Sequence, residues 1–133
     1  MGDMERAMFK VLIIEDNDDN RDILKQQLEY LGYEVVEAAD GLEGLNQVAK
    51  EQPDLVIVDI MMPGIDGKEV ARRLRADSKT KDLPVLAATV LFHSEDIHSC
   101  LVAGCNDVLT KPFTLQQLKD RLEKLSQPAD RQK

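Results

Sequence analysis

Val11-Leu12-Ile13-Ile14-Glu15-Asp16 and Leu55-Val56-Ile57-Val58-Asp59 decide how this chain folds. Each is a short, unbroken, β-branched apolar run that stops on a carboxylate. A strand with one wetted face alternates apolar and polar residues, whereas a strand buried on both faces of a parallel sheet does not. Both runs therefore read as central strands of a parallel sheet. Working outward, the pattern predicts strands over 11–14, 34–38, 55–59, 84–89 and 108–110. Helices are predicted over 18–31, 40–50, 68–76, 94–103 and 114–125. Ile23, Leu24, Leu28 and Leu31 make the apolar stripe of the first helix, and Gly32 stands in its stopping position. Asp40 with Glu43, and Thr114 with Gln117, have capping-box spacing, and Asp66 can cap the third helix. The second strand alternates only weakly and belongs near an edge.

Parallel strands need crossover connections of one hand, so five β/α units imply an α/β, doubly wound, five-stranded parallel sheet with five helices. Strand order 2-1-3-4-5 puts strands one and three side by side at the switch point, where open α/β sheets bind ligands. Glu15, Asp16 and Asp59 then share one carboxyl edge. Carboxylates packed this closely raise one another's pKa unless a cation intervenes. A hard divalent metal with oxygen ligands resolves the conflict.

Thr89, at the end of strand four, and Lys111, after strand five, fall on the same rim. Together these residues point to phosphoryl transfer onto a carboxylate. Mg²⁺ would bind through Asp16 and Asp59, with Glu15 acting through water, leaving a nucleophilic carboxylate that faces an anionic donor. Lys111 and Thr89 would hold the arriving phosphoryl oxygens. Taken singly, each residue has a plainer role. Acidic residues after a strand commonly serve the dipole of the next helix, and that is the reading for Asp18 and Asp19.

Four segments carry a family resemblance: Val-Leu-Ile-Ile-Glu-Asp-Asn at 11–17, Asp-Ile-Met-Met-Pro-Gly-Ile-Asp-Gly at 59–67, Pro-Val-Leu-Ala-Ala-Thr at 84–89 and Leu-Thr-Lys-Pro-Phe at 109–113. In that order and spacing, the chain resembles a response-regulator receiver domain of two-component signalling, flavodoxin-like and similar to single-domain chemotaxis regulators. The resemblance implies that Asp59 accepts phosphate from a phosphohistidine of a sensor histidine kinase or histidine phosphotransfer protein. It implies that Asp16, Asp59 and the backbone carbonyl of Met61 bind Mg²⁺, and that the Lys111-Pro112 bond is cis. Such a domain is no enzyme beyond its own phosphorylation and dephosphorylation. It signals to a downstream protein target through the face of helix four, strand five and helix five, as a monomer or weak dimer.

Two positions depart from the family pattern, and two more bear on dephosphorylation. Val108 stands where an aromatic usually couples to the Thr hydroxyl, so that half of the usual switch has no ring to swing. Val90 replaces a small residue after Thr89 and narrows access to the site. Met61 and Leu91, two residues beyond Asp59 and Thr89, are apolar and cannot orient an attacking water, which implies a long-lived phosphoryl group.

Composition sets the remaining bounds. The chain has 133 residues, 43% hydrophobic and 32% charged, with a net charge of −8. One domain is expected over 10–126, with an N-terminal extension at 1–9 and a polar tail at 127–133. The acidic balance argues against nucleic acid or an anionic membrane as a partner. No apolar stretch approaches the roughly 18 residues of a membrane span. Two cysteines make no disulfide framework, so the cytoplasm is the expected compartment. His93, His98, Cys100 and Cys105 match no standard zinc spacing. An Asp-based phosphatase would need a second acid two residues after Asp59, where Met61 stands. A flavin carrier would need a phosphate loop where Glu15-Asp16 would repel it. An initial methionine and short tail favour a stand-alone regulator. A receiver from a hybrid histidine kinase or longer regulator is the alternative, followed by a non-phosphorylated interaction module.

Overall fold

The computed structural model describes residues 8–91 and 93–126. The order of elements is β1 (Lys10–Ile14), α1 (Asp18–Tyr30), β2 (Glu34–Ala38), α2 (Gly41–Glu51), β3 (Leu55–Asp59), α3 (Gly67–Ala76), β4 (Val85–Thr89), α4 (Ser94–Ala103), β5 (Asp107–Thr110) and α5 (Leu115–Ser126). All strand pairings are parallel, in the order β2-β1-β3-β4-β5. This is the doubly wound sheet read from the sequence, with its weakly alternating second strand at an edge. Residues 1–7 of the expected extension and the tail at 127–133 lie outside the described residues. Phe9 belongs to the packed fold, edge-to-face on Tyr33 with ring centroids 5.7 Å apart.

The unbroken apolar runs are explained by two core layers. Successive side chains leave a strand on opposite faces. Val11, Ile13, Leu55, Ile57, Leu86 and Ala88 pack with Leu24 and Leu28 of α1 and Leu118 and Leu122 of α5. Leu12, Ile14, Val56, Val58, Val85 and Ala87 pack with Val48 of α2, Val70 and Leu74 of α3 and Cys100 of α4. No residue of β1 after Lys10, and none of β3 before Asp59, can be polar without reaching a core.

Side-chain caps set where the helices begin, and so where the strand ends are held. Asn17 accepts from Asn20 N at 2.9 Å, Asp40 from Glu43 N at 2.8 Å and Asp66 from Glu69 N at 2.9 Å. Thr114 and Gln117 form the reciprocal box, at 3.0 and 2.8 Å. In α2 the Glu43 carboxylate instead reaches one residue further back, to Ala39 N at 2.7 Å. The fourth strand starts at Val85 rather than Pro84, because proline has no N–H to donate to the ladder. Its carbonyl still accepts from Val56 N at 2.9 Å.

Gly67 holds α3 against the end of β3. A Cβ there would lie 2.6 Å from the Asp59 carbonyl oxygen and 2.9 Å from Ile60 Cα. Both are backbone atoms, so a side-chain shift alone cannot relieve the clash. Gly67→Ala is expected to destabilise the domain by about 1–3 kcal/mol. An unchanged urea midpoint would contradict this.

Candidate functional site

The register aligns the strand ends so that one edge collects the polar groups. Ile14 pairs with Val58, Asp59 with Ala88, and Thr89 with Thr110. Glu15-Asp16, Asp59, Thr89 and Lys111 are therefore the residues at or just beyond four neighbouring strand ends. One carboxylate oxygen each from Glu15, Asp16 and Asp59 lies within 4.8 Å of the others. Asp16 is exposed, Asp59 partly buried and Glu15 buried. The Lys111-Pro112 peptide is cis.

Lys111 divides its charge unevenly. Its ammonium lies 2.9 Å from Glu15 Oε1 and 3.8 Å from Asp59 Oδ2. Glu15 also accepts from Asn17 N at 3.1 Å, while Arg21 donates to the Glu15 carbonyl at 2.8 Å and pins the β1–α1 turn. Burial pushes the Glu15 carboxyl up, but the Asn17 N–H and the Lys111 ammonium outweigh it and hold it below its ordinary 4.5. Asp59 is the reverse case. Burial is the largest influence and drives it up to about 6, against the pull of Lys111 and the Met61 N–H, while Glu15 and Asp16 add smaller repulsions. That N–H donates to Asp59 Oδ1 at 3.3 Å. One carboxylate is held charged by its partners, and the other is pushed toward its neutral form by burial.

Thr89 is buried, and its hydroxyl oxygen accepts from Leu91 N at 3.0 Å. A hydroxyl has one proton to give as well as lone pairs, so Thr89 can still donate at the strand edge. Strand alternation sets Thr89 on the face shared with Ala87 and Val108, opposite to Ala88. Val108 is buried in that same layer, where Leu91 also packs. Met61 and Val90 stand exposed around the edge.

The oxygen-only donor set of three carboxylates within 4.8 Å, one of them raised by burial, fits a hard divalent cation. Lys111 and the Thr89 hydroxyl could hold the oxygens of an anion at the same place. A comparison with known families shows which family carries this edge. The response regulator receiver domain model matches residues 11–123. The chain belongs to that family.

Relatives of the receiver family extend the match. The DNA-binding dual master transcriptional regulator RpaA of Synechocystis is 39% identical over 93% of this chain and 52% of its own length. The chain spans about half the length of the curated relatives it matches. A crystal structure of a Chloroflexus aurantiacus protein described as a response regulator superposes with TM-score 0.87 at 38% identity, covering 90% of this chain and 98% of that one. The receiver domain of the Pseudomonas aeruginosa sensor histidine kinase PA1611 superposes with TM-score 0.83 at 32% identity, over 90% and 98%. That structure has a magnesium ion coordinated in its active site cleft. Among the described residues of this receiver, no helix is long and apolar enough to cross a membrane.

The structure brings together the carboxylates named from sequence and carries Lys111 to them. It also supplies what sequence reading did not. The closer partner of Lys111 is Glu15 rather than Asp59, and Thr89 is tied to the β4–α4 loop through Leu91. Arg21 is a further positioning residue, and its only signal in sequence was its place one turn into α1.

Proposed function

We propose that this receiver is a phosphorylation-activated switch in which Asp59 takes a phosphoryl group from a phosphohistidine of a sensor histidine kinase or histidine phosphotransfer protein. The observation that carries this reading is the single edge on which a largely buried Asp59 carboxylate faces an ammonium at 3.8 Å. The Asp59 carboxylate attacks phosphorus, and the bond from phosphorus to the donor nitrogen breaks. Asp16, Asp59, the Met61 carbonyl and, through water, Glu15 would hold Mg²⁺, which when bound neutralises carboxylate and phosphoryl charge. Lys111, already between Glu15 and Asp59, pairs with a phosphoryl oxygen after a short shift. Thr89 donates its hydroxyl proton to another while keeping the Leu91 N–H.

The bond from Thr89 to Leu91 offers a path from phosphate to α4 that needs no aromatic at position 108. The signal leaves through protein contacts on the α4–β5–α5 face, where Leu101 and Val102 are exposed. The curated relatives run to about twice the matched length, which suits the alternative of a receiver from a longer regulator. We place the protein in the cytoplasm, in keeping with its buried free thiols Cys100 and Cys105, and give it no catalysis beyond its own phosphorylation and dephosphorylation.

Incubation with acetyl phosphate and Mg²⁺ is expected to add one phosphoryl group to the intact mass of the protein and none to Asp59→Asn. A variant that gained the same mass would remove Asp59 from its role. The lifetime of the product is a second expectation. Neither the exposed Met61 side chain nor Leu91 can hydrogen-bond a water, so hydrolysis is slow. Met61→Asn supplies such a group and is expected to shorten the lifetime about tenfold, within the range of water-positioning effects. Loss of label from the two proteins side by side measures this, and equal lifetimes would contradict it.

A further inference from the structure

A cavity of about 650 Å³ lies between the C-terminal ends of α2 and α3, at the edge of the sheet opposite to Asp59. Its size is within the roughly 300–1,000 Å³ of small-molecule clefts. Leu45, Val48 and Ala49 of α2, Pro53, Leu74 of α3 and Leu83 supply its apolar lining. Pro53 precedes β3 and Asp59 ends it, so the length of that strand, roughly 15–20 Å, separates the cavity from the acceptor. None of Glu15, Asp16, Asp59, Thr89 and Lys111 lines it. Val48, Pro53 and Leu74 are buried, and Leu45 and Leu83 half-buried. The segment 77–83 closes one side and is tied down by its own hydrogen bonds. Asp77 Oδ1 accepts from Lys79 N at 2.9 Å, and the Thr80 hydroxyl donates to the Leu74 carbonyl at 2.6 Å. The Thr80 carbonyl accepts from Leu83 N at 3.0 Å and from Arg75 at 3.3 Å. The wall is therefore in place before any ligand arrives.

The rim runs against the charge of the whole chain, which is −8. Arg72, Arg73, Arg75, Lys79 and Lys81 fall within 72–81, a stretch whose one carboxylate is Asp77. Of these, Arg73, Lys79 and Asp77 line the cavity. Glu69 accepts from Arg73 Nε at 3.0 Å and steadies the guanidinium, whose terminal nitrogens are further donors of a fork that suits a carboxylate. Among the described residues, Lys79 has no ion-pair partner. We propose that this cavity binds a small amphipathic monocarboxylate, with its apolar body on Leu45, Val48, Leu74 and Leu83 and its head between Arg73 and Lys79. A neutral apolar molecule would leave Lys79 without counter-charge, and a flat anionic surface would leave the cavity unfilled. Asp77 on the same rim repels a second negative charge, which favours one carboxylate over a phosphate ester. The site stands apart from phosphoryl transfer and does not depend on Asp59.

The test is titration of the full chain with octanoate and with octanol, the same body without the charge, followed by the NMR shifts of backbone amides. Octanoate is expected to give saturable shifts gathered in 45–53 and 73–83, and to bind about fivefold more tightly than octanol, the size of one partly exposed ion pair. Lys79→Glu changes an exposed side chain of the loop. It is expected to weaken octanoate by at least that factor and to leave octanol unchanged. No saturable binding, equal affinity for octanoate and octanol, or an octanoate affinity unmoved by Lys79→Glu would overturn the site. Saturable shifts at the Asp59 edge instead would do the same. Shifts at 72–81 produced by an oligoglutamate peptide but not by octanoate would assign the cations to an acidic protein surface and overturn the small-molecule reading.

Discussion

Lys111→Ala is expected to slow phosphorylation of Asp59 by about 100- to 1,000-fold, the usual cost of removing one preorganised group aimed at developing transition-state charge. The ammonium is held where it is needed before any donor arrives, 2.9 Å from Glu15 and 3.8 Å from Asp59. Its side chain is about a quarter exposed, so the charge works in a partly desolvated place. The same variant should lose stability. Glu15 is buried and keeps its charge through the Asn17 N–H and Lys111. Because the folded pKa of Glu15 is depressed, the stability it contributes is present above its ordinary 4.5 and is lost as pH falls through the lowered value. Without Lys111 most of that contribution disappears at neutral pH, while at an acid pH below the lowered Glu15 value the two proteins should converge. Stopped-flow rates with a small-molecule donor and denaturation at the two pH values measure both effects. Near wild-type rates would show that Lys111 serves only the fold.

Asp59→Asn is expected to stabilise the metal-free domain at pH 7.5 although it removes the functional residue. The Asp59 carboxyl is raised from 3.8 to about 6, chiefly by burial. For an acid raised in this way, the unfolded chain gives up its proton first. Stability therefore falls as pH climbs from about 4 to about 6, and the full penalty applies above that. A shift of this size corresponds to about 1–3 kcal/mol, or several degrees in Tm for a domain of this length. Asn has no charge to lose and its amide oxygen can still accept from the Met61 N–H, so the variant escapes the penalty. Added Mg²⁺ is expected to raise the Tm of the wild type and to raise that of Asp59→Asn far less. Thermal melts in chelator at pH 4.5 and 7.5 should show a difference that is clearly larger at the higher pH. A variant less stable than wild type at pH 7.5 would contradict the electrostatic picture.

The sheet was legible because its central strands could be nothing else. Val11 to Ile14 and Leu55 to Val58 feed two cores in alternation, and only a strand covered on both faces tolerates that run. Its topology followed from the handedness of crossovers, and that topology put Glu15, Asp16, Asp59, Thr89 and Lys111 on one edge. Caps at Asp40, Asp66 and Thr114 were visible because a capping residue and its target lie three apart in sequence. Side-chain geometry between distant segments was not visible. Glu15 and Lys111 are 96 residues apart, and no pattern says which carboxylate the ammonium will approach more closely. The same is true of Gly67 beneath the Asp59 carbonyl and of the cavity between α2 and α3, which arise only when separate elements pack. Val108 was legible as a departure, and its burial shows that the layer it enters is closed without a ring.

The most direct test of Asp59 as the acceptor is to locate the acyl phosphate chemically. Protein phosphorylated in Mg²⁺ can be reduced with borohydride, which converts a phosphorylated aspartate to homoserine, and then sequenced by tandem mass spectrometry. Homoserine at position 59 alone is the expected result. Homoserine at position 16, or at any other aspartate with position 59 unchanged, would contradict it.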